Sequence, residues 1–412
     1  MITEAVAVPQ TIEEIGIRRS LLEDLALKIL YWQGEMSLLE LADGLHLSFP
    51  IVQEIFRRLR KEQLCEVKGL AERVHQIAIT SPGRDRAFEL LSTNQYAGPA
   101  PVSLRDYVAR VRSQSVRDVD IRPEDVERAL RHLVLSKEVL AQVGTALVSG
   151  RTIFLYGPTG TGKTSIAQAI PAVYRDSVWI PYAVEVDGQI IAVYDGQAHE
   201  RIEGPAAGEG DTRWVRCRRP RIVVGGELTL EMLDLRFDAI RKFYSAPLQM
   251  KANNGILIID DFGRQRLRPE ELFNRWIVPL DRRIDFLMLA GGKKFEVPFD
   301  LFVAFATNLD PTTLADEAFL RRIPSKVKVD TVTAKEFQEI FRRTCEEHKL
   351  LYDAAVVDEL IVLLGELKHP LRPCYPRDIV EQVCWSARYA GKPAHLDLAT
   401  VTQACHNYFL SA

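Results

Sequence analysis

The sequence lacks the features of membrane, secreted and disulfide-rich proteins. No uninterrupted apolar stretch in the 412 residues approaches the roughly 18 residues of a membrane-spanning helix. The first residues contain neither a basic region nor a sustained apolar region, so we expect no secretory signal. The six cysteines form no C-x-x-C pair, which favours reduced core thiols over a zinc site or disulfides. These absences predict a cytoplasmic protein without a membrane segment.

The sequence also lacks a large excess of charge of one sign, internal repeats and low-complexity tracts. The formal net charge of −3 provides no general attraction to nucleic acid or anionic lipid. Hydrophobic residues make up 47% of the chain and charged residues 26%, as in a globular protein with a large core. The length then predicts roughly two to four domains.

The most informative segment is 157–164, which matches G-x-x-x-x-G-K-[ST] in full. Its residues are Gly157, Pro158, Thr159, Gly160, Thr161, Gly162, Lys163 and Thr164. A β-prone run precedes it and a run that can open a helix follows, so backbone N–H groups and a helix N-terminus would surround a phosphate. Lys163 would reach the β- and γ-phosphates, and the Thr164 hydroxyl would bind Mg²⁺. The sequence therefore predicts binding of a nucleoside triphosphate.

A second segment, 255–261, is an apolar run that ends in two acids, Asp260 and Asp261. Buried parallel strands have this composition, and their carboxyl ends present ligand groups. We expect Asp260 to bind Mg²⁺ and Asp261 to polarise the attacking water as a general base. Without the phosphate loop, the same acids would fit a turn or a helix cap equally well.

Polar residues at three later points complete the candidate site. Asn308 ends the apolar run 301–308, where its amide could hold the lytic water or form a turn. Arg321 and Arg322 come at a predicted helix end, where arginines usually cap the helix and meet solvent. Arg377 opens a later helix, where a cation opposes the helix dipole, and this conflict is a mild indication of function.

In their order along the chain, these segments resemble the AAA+ ATPases over about residues 122–410. The resemblance implies an α/β fold, with a P-loop core built on a parallel sheet and a C-terminal helical lid. It also implies conventional roles for the motifs: Walker A at 157–164, Walker B at 256–261, sensor 1 at Asn308 and sensor 2 at Arg377. Asp261 departs from the family pattern, because the second Walker B acid is usually glutamate.

The resemblance further implies ATP as the nucleotide, Mg²⁺ as the cofactor and a ring oligomer, by analogy a hexamer. Either Arg321 or Arg322 would be the arginine finger that acts on the nucleotide of a neighbouring subunit. The distance of 97 residues from Lys163 to Asp260 is generous for one helix and one strand. We therefore expect a β insertion around 182–224, followed by a helix near 228–244. Such insertions resemble those of the MoxR-like and helix-2-insert branches.

Residues 19–92 read as three helices, a turn after the second helix, and a hairpin. This order resembles a winged helix-turn-helix, whose third helix would carry Arg57, Arg58, Arg60 and Lys61. Residues 1–93 nevertheless contain 11 Lys+Arg against 14 Asp+Glu, whereas DNA-binding domains usually have a basic surface. DNA binding and protein binding therefore stay equal alternatives for this region.

We predict four segments in the chain. They are a winged helix-like domain at 1–93, a linker at 94–121, an AAA+ α/β domain at 122–330 and a helical lid at 331–412. The arginine-rich run 216–221 lies in the insertion, where it would suit a nucleic-acid channel, an acidic protein partner, a subunit interface or a solvated hairpin edge.

Two functions are compatible with these features. The first is an ATP-hydrolysing AAA+ motor or chaperone-like remodeller that acts on a protein or nucleoprotein target. The second is a DNA-binding regulator or loader in which nucleotide mainly switches assembly.

Overall fold

The computed structural model describes residues 5–71, 74–203, 210–314 and 317–409. Parts of the predicted hairpin, insertion and lid lie outside the described residues. They are 72–73 of the predicted hairpin, 204–209 of the predicted insertion and 410–412 of the predicted lid. All six cysteines are described, and each is a free thiol. Within the described ranges, no helix is both long enough and apolar enough to cross a membrane.

The N-terminal region contains five helices and a three-stranded antiparallel sheet in the order β1-β3-β2. Its elements are α1 (Ile12–Ile15), α2 (Arg19–Gln33), β1 (Glu35–Ser37), α3 (Leu38–Leu45), α4 (Phe49–Lys61), β2 (Cys65–Ala71), β3 (Val74–Ile79) and α5 (Ser81–Thr93). The Ser37 hydroxyl accepts from the Glu40 N–H and the Glu40 carboxylate accepts from the Ser37 N–H, so the capping box at the start of α3 forms. The predicted helices and hairpin are present, and the winged helix-turn-helix stays a prediction.

Regular structure continues through the range that the sequence suggested as a linker. The range 94–121 contains β4 (Val102–Ser103), α6 (Leu104–Ser113) and a 3-10 turn (Val116–Asp118), and α7 (Pro123–Leu130) and α8 (Lys137–Ser149) follow it. The Ser103 hydroxyl accepts from the Asp106 N–H and caps α6. Tyr107 and Val111 of α6 are buried. Residues 102–113 therefore belong to a packed core.

The next part of the chain alternates between two larger sheets and two separate pairs of antiparallel strands. Its elements are β5 (Thr152–Tyr156), α9 (Lys163–Ala169), β6 (Ser177–Pro181), β7 (Ala183–Val186), β8 (Gln189–Ala192), β9 (Trp214–Arg218), β10 (Arg221–Val224), β11 (Arg236–Phe237), β12 (Tyr244–Ser245), α10 (Leu248–Lys251), β13 (Ile256–Ile259), α11 (Pro269–Arg282), β14 (Ile284–Met288), β15 (Lys294–Pro298), β16 (Phe302–Thr307), α12 (Pro311–Leu314), α13 (Glu317–Leu320) and β17 (Ser325–Lys328).

The main sheet has five parallel strands in the order β10-β13-β16-β5-β17. Every residue of β13 and β16 is buried, as expected for central parallel strands covered on both faces. The β-prone run before the phosphate loop and the apolar runs 255–261 and 301–308 thus contain strands, as predicted, and the α/β fold with a parallel sheet is confirmed. Because the three strands are neighbours, their carboxyl ends lie side by side.

The predicted insertion is divided between separate sheets. β7 and β8 form an antiparallel hairpin within a second sheet, β11-β12-β8-β7-β4, while β6 pairs with β9. β10 falls in the predicted range 182–224 yet is the edge strand of the parallel sheet. Only its alternate residues are buried, so its sequence reads like that of a hairpin strand.

The predicted helix near 228–244 is wrong. The structure has a 3-10 turn at Leu230–Leu233, followed by β11 and β12. The Asp238 carboxylate accepts hydrogen bonds from the N–H groups of Ile240 and Arg241, each at 2.9 Å. This Asx turn provides the backbone with partners that a helix would otherwise supply.

The C-terminal part is a bundle of four helices, as predicted. They are α14 (Ala334–Glu347), α15 (Ala354–Glu366), α16 (Tyr375–Tyr389) and α17 (Leu398–Tyr408). Their apolar faces enclose one core that includes Phe337, Phe341 and Ile379. The segment leading into α16 lies against the loop after β5, and this contact forms one wall of the candidate site.

Candidate functional site

The candidate site is a cavity of about 560 Å³ at the carboxyl edge of the parallel sheet. The loops after β5, β13 and β16 and the start of α16 line it, so the fold brings together residues that are far apart in sequence. Most of the predicted site residues line this cavity: Thr159, Gly160, Thr161, Gly162, Lys163, Thr164, Asp260, Asp261, Asn308 and Arg377. Gly157, Pro158, Arg321 and Arg322, which are also described, are not among its lining residues.

Lys163 is buried at the start of α9, with its amine held inside the phosphate loop. The amine donates to the Pro158 carbonyl at 2.6 Å and to the Thr161 hydroxyl at 3.4 Å. Burial lowers the pKa of Lys163, and the carboxylates of Asp261 and Asp260 partly oppose that shift. A partly desolvated cation beside two acids is suited to an anionic ligand that brings more negative charge.

Thr164 and Asp260 bring the loop and the second motif into direct contact. The Thr164 hydroxyl donates to Asp260 Oδ1 at 2.9 Å. Asp260 is fixed in turn, because its N–H donates to the Val224 carbonyl of the neighbouring strand at 2.8 Å. A hydroxyl and a carboxylate at this distance are oxygen ligands of the kind that Mg²⁺ prefers.

Asp261 directly follows Asp260 and is exposed at the rim of the cavity. Its φ of 48° is in the left-handed region, which is uncommon for a residue other than glycine. The Asp261 N–H donates to Asp260 Oδ1 at 3.0 Å. The unusual backbone directs the chain into a turn immediately after the strand and leaves the Asp261 carboxylate accessible.

The side-chain amide of Asn308 is only partly hydrogen-bonded within the described part of the chain. Its Nδ2 donates to the Thr159 hydroxyl at 3.2 Å, which connects the loop after β16 to the phosphate loop. Its Oδ1 is buried and has no hydrogen-bond partner among the described residues. Buried polar atoms in folded proteins are rarely unpaired, so this oxygen fits a site where water or a ligand group binds.

The helical bundle closes the cavity through the segment before α16. The Cys374 N–H donates to the Gly160 carbonyl at 3.3 Å. Gly160 has a φ of 78°, and a Cβ at this position would lie 2.5 Å from the Cys374 sulfur, so the contact requires glycine. Burial raises the pKa of the Cys374 thiol to about 11, which keeps it in the neutral form.

The predicted lid and finger arginines occupy different surroundings. Arg377 lines the cavity, but 73% of its side chain is exposed and its Nε donates to Glu381 Oε1 at 3.1 Å. Arg321 is exposed just after α13, while the Nε of Arg322 donates to Asp281 Oδ2 at 2.9 Å. Neither of the last two reaches the cavity of its own chain.

Several residues that line the cavity were not predicted from the sequence. Arg264 follows the two acids by only a few positions, and its place in the turn after a Walker B-like strand could have identified it. Arg343 of α14 and the segment 132–135 lie far from any motif, so no local signal pointed to them. The guanidinium of Arg343 donates to Glu339 Oε1 at 2.7 Å and to the Arg131 carbonyl at 2.9 Å.

The arginine-rich run 216–221 does not act as one surface. Arg219 is buried and donates to both oxygens of Asp176, at 2.8 and 2.6 Å. Arg218 is exposed and pairs with Glu200 at 2.7 Å. The buried member therefore stabilises the fold, and only the exposed members are available to a partner.

Comparisons with known proteins give one short family match and remote structural likenesses. A family model described as a domain of unknown function (DUF8689) matches residues 333–407. No curated protein matches the chain. The Holliday junction branch migration motor RuvB of Thermotoga maritima is similar at 15% identity and a TM-score of 0.37, over 70% of each chain. NtrX of Brucella abortus in complex with ADP is similar at 15% identity and a TM-score of 0.40, over 66% of this chain and 56% of NtrX.

The chain has an α/β fold, with a glycine-rich phosphate loop at the carboxyl edge of a parallel sheet and a C-terminal helical bundle. Three features define it: the strand order of the parallel sheet, the glycine-rich loop between β5 and α9, and the four-helix bundle that contacts this loop.

Proposed function

We propose that this protein binds ATP with Mg²⁺ and hydrolyses it. The hydrogen bond from Thr164 to Asp260 is the observation that carries the proposal, because it brings together the two motifs that such chemistry needs. The cavity above this bond is lined by the whole tip of the phosphate loop and receives a buried lysine. The choice of ATP over GTP follows the resemblance to AAA+ proteins.

The Thr164 hydroxyl and the Asp260 carboxylate fit a Mg²⁺ ion, since both are hard oxygen donors. The ion would supply positive charge to the β- and γ-phosphates. Backbone N–H groups from Gly160 to Lys163 would hold the phosphates at the start of α9. The Lys163 amine would leave the Pro158 carbonyl and move to the γ-phosphate, a stronger partner than a neutral carbonyl.

Asp261 and Asn308 would position the attacking water. In the reaction the water oxygen bonds to the γ-phosphorus, and the bond from this phosphorus to the β–γ bridging oxygen breaks, leaving its electron pair on ADP. The Asp261 carboxylate accepts the water proton and releases it to solvent. The buried Oδ1 of Asn308 accepts a hydrogen bond from the same water, which gives this atom the partner that the described residues do not provide.

We further propose that the protein works as a ring oligomer, with an arginine supplied by the neighbouring subunit. Arg321 and Arg322 lie outside their own cavity, as a residue acting on a neighbour must. Arg321 is the better candidate, because Arg322 is held by Asp281 of α11. Lid closure through Arg377 would convert the nucleotide state into movement of the attached regions against a protein or nucleoprotein target.

The test is ATP hydrolysis measured against protein concentration for the wild type, Arg321→Ala, Arg322→Ala and Lys163→Ala. Turnover per chain should rise with concentration, and one arginine variant should lose roughly 10³-fold or more while still binding ADP. Lys163→Ala should lose both nucleotide binding and turnover. Nucleotide binding without turnover at any concentration would contradict the proposal and favour an assembly switch.

A DNA-binding regulator or loader stays the second candidate because of α4. Arg57, Arg60 and Lys61 are exposed on this helix, although Arg58 beside them is 3.1 Å from Glu23. Binding of the full chain to duplex DNA should be measured over a salt series, beside Arg60→Glu and Lys61→Glu. Salt-sensitive binding that both variants weaken would favour this candidate. The first candidate predicts brisk hydrolysis and no effect of these variants.

A further inference from the structure

The turn after β13 brings an additional cation to the cavity. Arg264 lines the cavity together with Asp260 and Asp261, and its side chain is exposed there. No role follows for it from the phosphate loop, from the acids or from the lid. Its surroundings differ from those of the other cavity arginines in two respects: the turn that carries it is rigid, and its guanidinium is unengaged.

The rigidity comes from hydrogen bonds within the turn and to β16. Gln265 fastens both sides of the turn: its Nε2 donates to the Asp260 carbonyl at 2.7 Å, and its Oε1 accepts from the Gly263 N–H at 2.8 Å. The Arg264 N–H donates to the Asp261 carbonyl at 3.0 Å. The turn is also attached to β16, because the Phe262 N–H donates to the Ala306 carbonyl at 2.8 Å.

Close packing fixes the turn on its other side. Gly263 has a φ of 96°, and a Cβ there would lie 2.6 Å from a methyl carbon of Leu314 and 2.9 Å from one of Leu309. The turn therefore rests on the segment that follows Asn308. Arg264 is thus held by both strands whose ends carry the predicted water-positioning residues, which is the preorganisation that a charge-stabilising group requires.

The guanidinium of Arg264 is unengaged, in contrast to those of the other arginines of the cavity. Arg343 donates to Glu339 and to the Arg131 carbonyl, and Arg377 donates to Glu381. The Arg264 guanidinium forms no hydrogen bond or ion pair with any residue in the described part of the chain. A free guanidinium fork is the group best matched to phosphate oxygens.

We infer that Arg264 is a catalytic residue that binds the γ-phosphate from within the same subunit. It stabilises the negative charge that develops on the phosphoryl oxygens while water attacks and the bond to ADP breaks. The ligand it recognises is the terminal phosphate of a nucleoside triphosphate, so it distinguishes triphosphate from diphosphate. This inference rests on the proposed hydrolysis and adds a further protein cation to the groups that bind the nucleotide.

The test compares the full-length chain with Arg264→Ala, Arg264→Lys and Arg266→Ala. Arg266 is the matched control, since it is an exposed arginine of the same loop that does not line the cavity. Arg264→Ala should lower kcat about 100-fold and weaken a non-hydrolysable ATP analogue about tenfold, with ADP affinity unchanged. Arg264→Lys should recover part of the loss, because it keeps the charge without the fork. Arg266→Ala should behave as the wild type.

Two results would overturn the inference. One is turnover of Arg264→Ala within twofold of Arg266→Ala, and the other is an equal loss of affinity for ADP and for the analogue. The analogue-to-ADP ratio needs no turnover, so it decides whether Arg264 binds the γ-phosphate even if the wild type does not hydrolyse ATP. A wild type without turnover would instead contradict the proposed function.

A mixing experiment tests whether the residue acts within its own subunit. Subunits carrying Arg264→Ala are mixed with subunits carrying Asp261→Asn, neither of which should turn over rapidly alone. If Arg264 serves its own cavity, each subunit stays defective and the mixture should have no more activity than its components. Recovery of activity on mixing would show that Arg264 reaches a neighbouring cavity, and would overturn the assignment.

Discussion

Two asparagines at opposite ends of the parallel sheet show how the molecule separates scaffold from site. Asn254 precedes β13 at the amino edge, where its Nδ2 donates to the Val111 carbonyl and to Asp300, at 2.8 and 2.7 Å. Its Oδ1 accepts from Gln114 Nε2 at 2.9 Å. Asn308 follows β16 at the carboxyl edge, and its Oδ1 is buried without a partner among the described residues.

The difference indicates what each edge is for. A buried polar group with all its hydrogen bonds rigidifies and specifies a fold, whereas one that lacks a partner costs free energy unless something else binds there. The amino edge joins α6, β6 and the loops before three strands of the parallel sheet into one bonded unit. The carboxyl edge holds its polar groups in place but leaves some of their hydrogen-bonding capacity unused. Substitutions at the two edges should therefore affect different properties.

The largest expected effect is at the amino edge, in Arg219→Ala. Besides its ion pair with Asp176, Arg219 donates to the carbonyls of Gln114 and Asn254 at 3.0 and 2.7 Å. Its removal leaves a largely buried carboxylate unpaired, so the free energy of unfolding should fall by about 3–5 kcal/mol. Arg218→Ala is the control, since its exposed pair with Glu200 is worth about 0–1 kcal/mol. Chemical denaturation of both variants measures the difference. If the two variants lost similar amounts of stability, the buried and the exposed arginines of the run 216–221 would not differ in their structural role.

Asp261→Asn should give the complementary result at the carboxyl edge. Loss of a general base lowers turnover by about 10²- to 10³-fold. The stability should stay within about 0.5 kcal/mol of the wild type, because the Asp261 side chain is exposed. Steady-state turnover and a denaturation curve on the same preparation separate the two effects. A variant that unfolds more easily and still hydrolyses ATP would reverse the roles assigned to the two edges.

The asparagines themselves form a matched pair, Asn308→Ala and Asn254→Gly. Glycine is chosen at Asn254 because its φ of 62° would strain alanine. Asn254→Gly should lose about 2 kcal/mol of stability, since it strands several buried partners. Asn308→Ala should keep stability within about 0.5 kcal/mol of the wild type, because removal of the unpaired buried oxygen offsets the lost hydrogen bond to Thr159. It should lower turnover about tenfold. If Asn308→Ala destabilised the protein as much as Asn254→Gly, its oxygen would not be the water-binding group proposed here.

The carboxyl edge was largely predictable from sequence, and the amino edge was not. The motif 157–164 determines its own local geometry. Asp260 and Asn308 each follow a buried parallel strand, which places both of them at the carboxyl edge of the sheet. Asn254, Asp300 and Gln114 carry no such pattern, and only the fold brings them together. The same holds for the helix wrongly expected near 228–244, where the side chain of Asp238 forms a turn instead. Arg264 was partly predictable. Its place just after the Walker B motif can be seen in the sequence, but only the structure shows that its guanidinium has no partner among the described residues.

A buried lysine far from the sheet tests whether missing partners always mark a site. Lys28 of α2 is buried, and among the described residues its amine has one hydrogen-bond partner, the Tyr96 carbonyl at 3.4 Å. Burial lowers the pKa of Lys28 to about 8, with Asp24 opposing the shift. Lys28 does not line the candidate site cavity. We therefore expect its burial to lower the free energy of unfolding and to leave turnover unchanged.

Because its folded pKa lies below the ordinary value of 10.5, the unfolded chain binds more protons at Lys28 between about pH 8 and 10.5. The contribution of Lys28 to stability should therefore rise with pH through that window, by about 1–3 kcal/mol in total. Lys28→Met lacks this contribution, so the stability gap between the variant and the wild type should be largest below pH 8 and shrink as pH rises. Denaturation of both proteins at several pH values measures the gap. A constant gap would mean that the lysine is solvated, and a fall in turnover in Lys28→Met would mean that an unpartnered buried group signals function even here.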